Sequence, residues 1–208
     1  ILVLTDDQGY GDLSCHGNPV LKTPNLDGFH RESVRITNFH VESLCAPTRA
    51  GLLTGRYPFR TGVTTPLGGW ATLRSGERTM ADVFADNGYR TALFGKWHLG
   101  DNHPYHPHER GFHDTVTLGG GAIACASDHW GNTCYDDTYR RNGRTESFHG
   151  YCTDVFFGEA LRFIEKNRGR PFFLYLAPNA PPSPYTVPER YSAPYRAKGV
   201  PPTMAEFY

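Results

Sequence analysis

No apolar stretch in the 208-residue sequence approaches the length of a membrane-spanning helix; runs such as Phe172–Ala177 are far too short. Net charge is lacking too. The 21 basic residues cancel the 21 acidic ones, which argues against a broad nucleic-acid or membrane-surface partner. A local anion site needs only a few placed cations and stays open. The five cysteines, Cys15, Cys45, Cys125, Cys134 and Cys152, form no C-x-x-C pair, so neither a zinc ribbon nor a thioredoxin-type motif is expected. Their odd number leaves at least one thiol unpaired within a chain, and a Cys134–Cys152 loop disulfide stays open. No signal-peptide pattern precedes Ile1-Leu2-Val3-Leu4, which reads as a strand already under way. Both ends look cut, so the lack of a secretion signal carries no information.

What is present is globular. Apolar residues make up 38% and aromatics 13%, enough for one ordinary domain or part of a larger one. Ile1–Leu4 followed by Thr5–Gly9 reads as a buried strand ending in a polar loop. Thr23-Pro24 starts a helix through about Ser33, and Val34–Phe39 alternates as a strand would. After Cys45, Pro47 is tolerated in a first helical turn, and Arg49–Thr54 continues the helix to Gly55. Thr79 caps a helix over Met80–Asn87 that stops at Gly88, and Tyr89–Phe94 follows as a strand. Residues 99–150, rich in Gly, His, Asp and Asn, read as a long active-site or surface excursion. Phe156, Ala160, Phe163 and Ile164 share one helical face within Thr153–Asn167. Phe172–Ala177 is a short buried strand, 178–202 is irregular, and Pro202–Tyr208 opens another helix. Strands alternating with helices predict an α/β fold with a mostly parallel sheet, its polar clusters beyond the strand carboxyl ends.

Three separated segments carry chemistry. Asp6-Asp7 follows the first strand, and adjacent carboxylates are costly to hold together without a hard divalent cation. Cys45-Ala46-Pro47-Thr48-Arg49 starts a helix, where the positive end favours an anionic nucleophile. Arg49, one turn on, could hold that group or its anionic adduct with a fixed fork of donors. Gly95-Lys96-Trp97-His98-Leu99-Gly100 follows a strand and offers a point cation and a group titrating near neutrality. Each alone is more often ordinary structure; their agreement is the signal.

The C-x-P-x-R pattern at Cys45–Arg49, continued by Leu53-Thr54-Gly55-Arg56, resembles the signature of formylglycine-dependent (type I, arylsulfatase-like) sulfatases. The Asp6-Asp7-Gln8-Gly9-Tyr10-Gly11-Asp12 opening and the Lys96–His98 segment match the same family. This resemblance implies an alkaline-phosphatase-like α/β fold, of which residues 1–208 are the N-terminal part of the catalytic domain, with a smaller C-terminal domain beyond. It implies oxidation of Cys45 to formylglycine by a maturation enzyme. The hydrate's two hydroxyls would then attack sulfur and expel sulfate. It implies that Asp6, Asp7 and the modified Cys45 ligate calcium, or magnesium in its place. Arg49 would orient the hydrate, Lys96 would bind the sulfate, and His98 would contact the second hydroxyl. The implied substrate is a sulfated small molecule or glycan, in an extracytoplasmic compartment.

One element departs from the family. Where an Ala-Pro-His-x-Pro segment is expected, this chain has Ala180-Pro181-Pro182-Ser183-Pro184, and Pro182 has no proton to give a leaving group. Two further readings follow from that departure and from shared signatures: a formylglycine-dependent phosphoester or phosphonate hydrolase, and a non-catalytic anion-binding relative. The histidines His98, His103, His106, His108 and His113 lack an acidic or cysteine ligand pattern, so a loop lining the substrate mouth is expected rather than zinc. Trp70, Trp97 and Trp130 are core residues by default, with stacking on a sugar ring as the other use.

Overall fold

The computed structural model describes residues 1–180 and 185–207, in two compact units: Ile1–Asp6 with Glu42–Asn179, and Asp7–Val41 with Ala180–Tyr208. In chain order the elements are β1 (Leu2–Val3), α1 (Pro24–Glu32), α2 (Cys45–Thr54), α3 (Pro58–Thr61), α4 (Met80–Asp86) and β2 (Arg90–Gly95). They continue with β3 (Asp114–Thr117), β4 (Thr138–Arg141), β5 (Arg144–Ser147), α5 (Cys152–Asn167), β6 (Phe172–Ala177), α6 (Glu189–Arg196) and α7 (Pro202–Phe207).

The first unit is built on a sheet of order β1-β6-β2-β3-β4-β5. The first four strands run parallel, and β4 and β5 add an antiparallel hairpin at one edge. The expected α/β fold is therefore present, with a mixed rather than wholly parallel sheet. Strands β2 and β6 are covered on both faces, which is why they read as continuous apolar runs instead of alternating ones. On one face Leu93, Phe173, Tyr175 and Ala177 join Ala46, Ala50 and Leu53 of α2 and Ala81 of α4. On the other, Phe163 of α5 meets Phe94 and Phe172 edge-on at 6.0 and 5.6 Å. Burying each such aromatic stabilises the layer stack by about 1.5–3 kcal/mol.

Local signals set the helix ends. Thr79 Oγ1 accepts from the Asp82 backbone N–H, and the Asp82 carboxylate accepts from the Thr79 N–H, which closes a capping box on α4. Gly55 ends α2 in the left-handed region, its N–H donating to the Gly51 carbonyl at 2.9 Å. Gly95, at φ +113°, ends β2; a Cβ there would lie 1.9 Å from the Ala177 carbonyl oxygen. Only glycine lets the two backbones approach that closely.

Three expectations are corrected. Val34–Phe39 is not a strand: Val34 is 94% and Ile36 68% exposed, and without a ladder partner an alternating pattern does not make a strand. Residues 99–150 are not only an excursion, because β3, β4 and β5 lie within them. These strands are four residues each, and β4 (Thr-Tyr-Arg-Arg) and β5 (Arg-Thr-Glu-Ser) carry too few apolar residues to signal burial. The stretch 178–202 is not wholly irregular, since α6 forms within it around Pro194.

In the second unit, Asp27 on α1 gathers the preceding loop. Its carboxylate accepts from the Ser14 and Thr23 hydroxyls at 2.7 and 2.8 Å and from the Cys15 N–H at 3.0 Å. No helix among the described residues is long and apolar enough to cross a membrane.

Candidate active site

The carboxyl ends of β1 and β2, with β6 between them, deliver two of the three chemical segments. Asp6 lies three residues beyond β1, and Lys96 follows β2 directly. The Lys96 N–H donates to the Ala177 carbonyl at 2.7 Å, extending the β2–β6 ladder by one step. That bond fixes where Lys96 leaves the sheet. The third segment arrives at the start of α2, whose first residue is Cys45.

Arg49, one turn into α2, is 1% exposed and ties the segments together. Its Nη1 donates to the Lys96 carbonyl at 2.9 Å and to the Tyr175 hydroxyl at 3.2 Å; its Nη2 donates to Asp6 Oδ1 at 3.0 Å. Lys96 Nζ takes the other Asp6 oxygen at 2.7 Å. All three charged side chains are buried. Two cations against one carboxylate leave a positive excess in a place closed to water, which suits an incoming anion. Arg49 Nε is buried with no partner among the described residues. Such an orphaned donor is costly unless an acceptor oxygen joins it.

Cys45 Sγ lies 3.2 Å from His98 Nδ1. The other ring nitrogen, Nε2, sits 3.0 Å from the Pro66 carbonyl oxygen, which can only accept, so Nε2 carries the proton and Nδ1 faces the thiol as acceptor. Burial, helped by the nearby Lys96 ammonium, pushes His98 down to about 4. The ring is therefore neutral at physiological pH. His98 also holds φ +58°, a strained backbone for a non-glycine residue that packing must over-determine. Gly121 makes room for it: a Cβ there would lie 2.5 Å from the His98 ring.

The fold thus brings Asp6, Cys45, Arg49, Lys96 and His98 into one unit. Asp7 belongs to the other unit, where it is exposed with φ +52°. Pro182 lies outside the described residues. Sequence reasoning missed Tyr175, Pro66 and Gly121. The first reads as a core residue of β6, and burial pushes its phenol up so that it stays protonated beside Arg49. Pro66 acts through its backbone, which leaves no residue-type signal. Gly121 stands in the run Gly119-Gly120-Gly121, a cue for close approach that was available.

The histidine-rich loop assembles no metal set among the described residues; His106 and His108 stack at 5.3 Å, and His103 bonds to Glu109. Three metal-type ligands do converge elsewhere: Cys15, His16 and His30 of the second unit place ligand atoms within 4.8 Å of one another. Trp97 is core, whereas Trp70 and Trp130 are exposed. Each Asp6 oxygen receives one hydrogen bond from a cation and keeps a lone pair that a hard cation could take, but among the described residues Asp6, Asp7 and Cys45 do not converge as a ligand set.

The family model described as Sulfatase matches residues 1–203. Arylsulfatase H of Homo sapiens is 44% identical over 129 residues, covering 54% of this chain and 23% of that protein. N-acetylgalactosamine-6-sulfatase of Homo sapiens is 34% identical over 217 residues, covering 88% of this chain and 39% of that protein. The crystal structure of Ps i-CgsB in complex with k-i-k-neocarrahexaose superimposes with a TM-score of 0.85 at 26% identity, covering 99% of this chain and 50% of that one. The phosphonate monoester hydrolase of Agrobacterium radiobacter, at 22% identity and a TM-score of 0.60, covering 91% of this chain and 42% of that one, shares the fold alone. The chain spans less than half the length of the curated relatives it matches.

Proposed function

Since the chain belongs to the sulfatase family, we propose that its site supplies the nucleophile half of a sulfate-ester hydrolase. Its helix-flanked sheet is that of the alkaline-phosphatase-like fold. The observation that carries the reading is one cluster: Cys45 at a helix start, 3.2 Å from a neutral His98, next to a buried Arg49–Asp6–Lys96 triad with an unpartnered donor.

In this reading Cys45, matured to formylglycine by a dedicated enzyme, supplies as its hydrate the oxygen that displaces the alcohol from sulfur. Asp6 and that oxygen would hold calcium, or magnesium, which would supply charge neutralisation for a sulfate oxygen. Arg49 orients the residue-45 hydroxyl through its Nε–H, which has no partner among the described residues, while its two Nη groups keep the guanidinium fixed on Asp6, Lys96 and Tyr175. Lys96 draws a sulfate oxygen with its ammonium. His98, holding its proton on Nε2 toward Pro66, presents Nδ1 as the base for a hydroxyl on residue 45.

The buried contacts among Arg49, Asp6 and Lys96 hold these charged groups in place before substrate arrives. The substrate is a sulfated carbohydrate or aryl alcohol. A solved neighbour in complex with its substrate D-glucosamine-2-N,6-O-disulfate supports the sugar class; it matches 96% of this chain at 26% identity and a TM-score of 0.79, over 38% of its own length. The compartment is extracytoplasmic. Residues 1–208 form the N-terminal part of the catalytic domain, and turnover needs the whole protein.

The test is peptide mass analysis after aerobic co-expression with the maturation enzyme. The Cys45 peptide should lose about 18 Da as thiol becomes aldehyde. The whole protein should then cleave the sulfate ester of an alcohol in preference to its phosphate ester. An unmodified thiol at Cys45, or a preference for the phosphate ester, overturns the reading.

A further inference from the structure

The five cysteines of the described residues are all thiols, but two of them face each other. Tyr135 and Tyr151 form an isolated antiparallel bridge, which puts Cys134 opposite Cys152 in the same register. The Cys152 N–H donates to the Cys134 carbonyl at 2.8 Å, and the Asp136 N–H donates to the Gly150 carbonyl at 3.1 Å. Opposed residues of an antiparallel pair have Cα atoms about 4.5–5.5 Å apart, inside the range of about 4.4–6.8 Å that a disulfide spans; here one of the two bonds between the opposed backbones forms, and the Cys134 N–H turns to Asp137 instead.

Both side chains are buried, Cys134 to 5% and Cys152 to 1% exposure. Cys134 is held at φ +80° by Asp137, whose carboxylate accepts from the Thr133 and Cys134 N–H groups at 2.7 and 2.9 Å and from the Tyr139 hydroxyl at 2.9 Å. The neighbouring Tyr135 and Tyr151 rings pack against each other at a tilt of 41°, their centroids 5.4 Å apart.

From this register we infer that Cys134 and Cys152 form a structural disulfide that staples the loop before the β4–β5 hairpin to the first turn of α5. The inference is independent of the chemistry proposed for Cys45. The neighbouring Cys134 holds the Cys152 thiol below the usual thiol range, with the Thr153 hydroxyl and the Asn179 side chain adding to the effect, while Cys152 and burial push Cys134 up.

The oxidant is an external disulfide of the thiol–disulfide exchange class. One of the two cysteine thiolates attacks one of its sulfurs and expels the first thiolate. The other cysteine, deprotonated, then attacks the protein sulfur of the mixed disulfide and expels the second. Two protein thiols lose two protons and two electrons, and the external disulfide becomes two thiols. Because both sulfurs are buried in the folded chain, exchange proceeds while the loop is still open, during folding.

The experiment is non-reducing peptide mapping of the protein secreted into an oxidising compartment, alkylated under denaturing conditions. A linked Cys134–Cys152 peptide pair, lighter by about 2 Da than the two reduced peptides together, is the expected result. Cys15 and Cys125 should be alkylated. The 18-residue separation predicts that reduction lowers Tm by about 6–12 °C, and that a Cys134→Ser/Cys152→Ser double variant melts like the reduced form. Alkylation of both Cys134 and Cys152 in protein from that compartment, or either one linked to a different cysteine, overturns the inference. The mapping uses the unaltered chain, so it reads out even if the double variant fails to fold.

Discussion

Replacing Asp6 with asparagine keeps the side chain's shape and removes the negative charge that two buried cations share. Arg49 Nη2 and Lys96 Nζ lie 3.0 and 2.7 Å from separate oxygens of Asp6, with all three side chains at most 3% exposed. At an effective dielectric of about 20, contacts of that length are each worth about 5–6 kcal/mol of attraction. Desolvating the three ions costs several kcal/mol apiece, so the intact triad contributes little net stability. Breaking it is different. The amide offers one acceptor to Arg49 but turns N–H groups toward the Lys96 ammonium, and two cations stay buried without a counter-charge.

The expected loss for Asp6→Asn is about 3–5 kcal/mol, or a Tm drop of about 6–20 °C for a chain of this size. Urea unfolding followed by tryptophan fluorescence measures it, with the buried Trp97 as reporter. The midpoint should fall without a change in m. Adding Lys96→Met should recover part of the loss, with a coupling of at least about 1.5 kcal/mol. An Asp6→Asn variant within about 1 kcal/mol of the parent, or strictly additive effects, would refute the charge-triad argument.

Gly121→Ala places a methyl 2.5 Å from the His98 ring and should cut the sulfate-ester turnover proposed for the whole protein about 10–100-fold through misplacement of that ring; unchanged kinetics would show that His98 is not held there. Gly95→Ala meets the Ala177 carbonyl oxygen at 1.9 Å in a positive-φ backbone and should destabilise the chain by about 3 kcal/mol or more, read by thermal unfolding. Glu159 of α5 resists the upward push of burial because Arg141 and Arg162 hydrogen-bond its carboxylate and hold it below its ordinary value of 4.5. A depressed carboxylate stabilises the fold above its unfolded value and loses that contribution as pH falls through the folded one, so stability should decline below about pH 4.5. Glu159→Gln should flatten that acid limb and cost about 1–2 kcal/mol at neutral pH, a figure reduced because Arg141 is 37% exposed.

The sequence by itself determined the elements whose signals are local. Thr79 and Asp82 carry their own cap, Gly55 its own stop, and the apolar runs of β2 and β6 their own burial, because each depends on residues within one turn or one strand. The same holds for the three segments around Asp6, Cys45 and Lys96, legible as short motifs at strand and helix ends. Only the tertiary structure decided what those residues do to one another. That Asp6 lies between Arg49 and Lys96, that the Pro66 carbonyl fixes the tautomer of His98, and that Tyr175 takes one arm of Arg49 are contacts across 32 to 126 positions of chain. The same physics separates Val34–Phe39, a strand pattern without a ladder partner, from β4 and β5, polar four-residue segments that became strands because β3 and each other were there to receive them. Periodicity is written along the chain, but hydrogen-bond and charge partners are chosen only when the chain closes on itself.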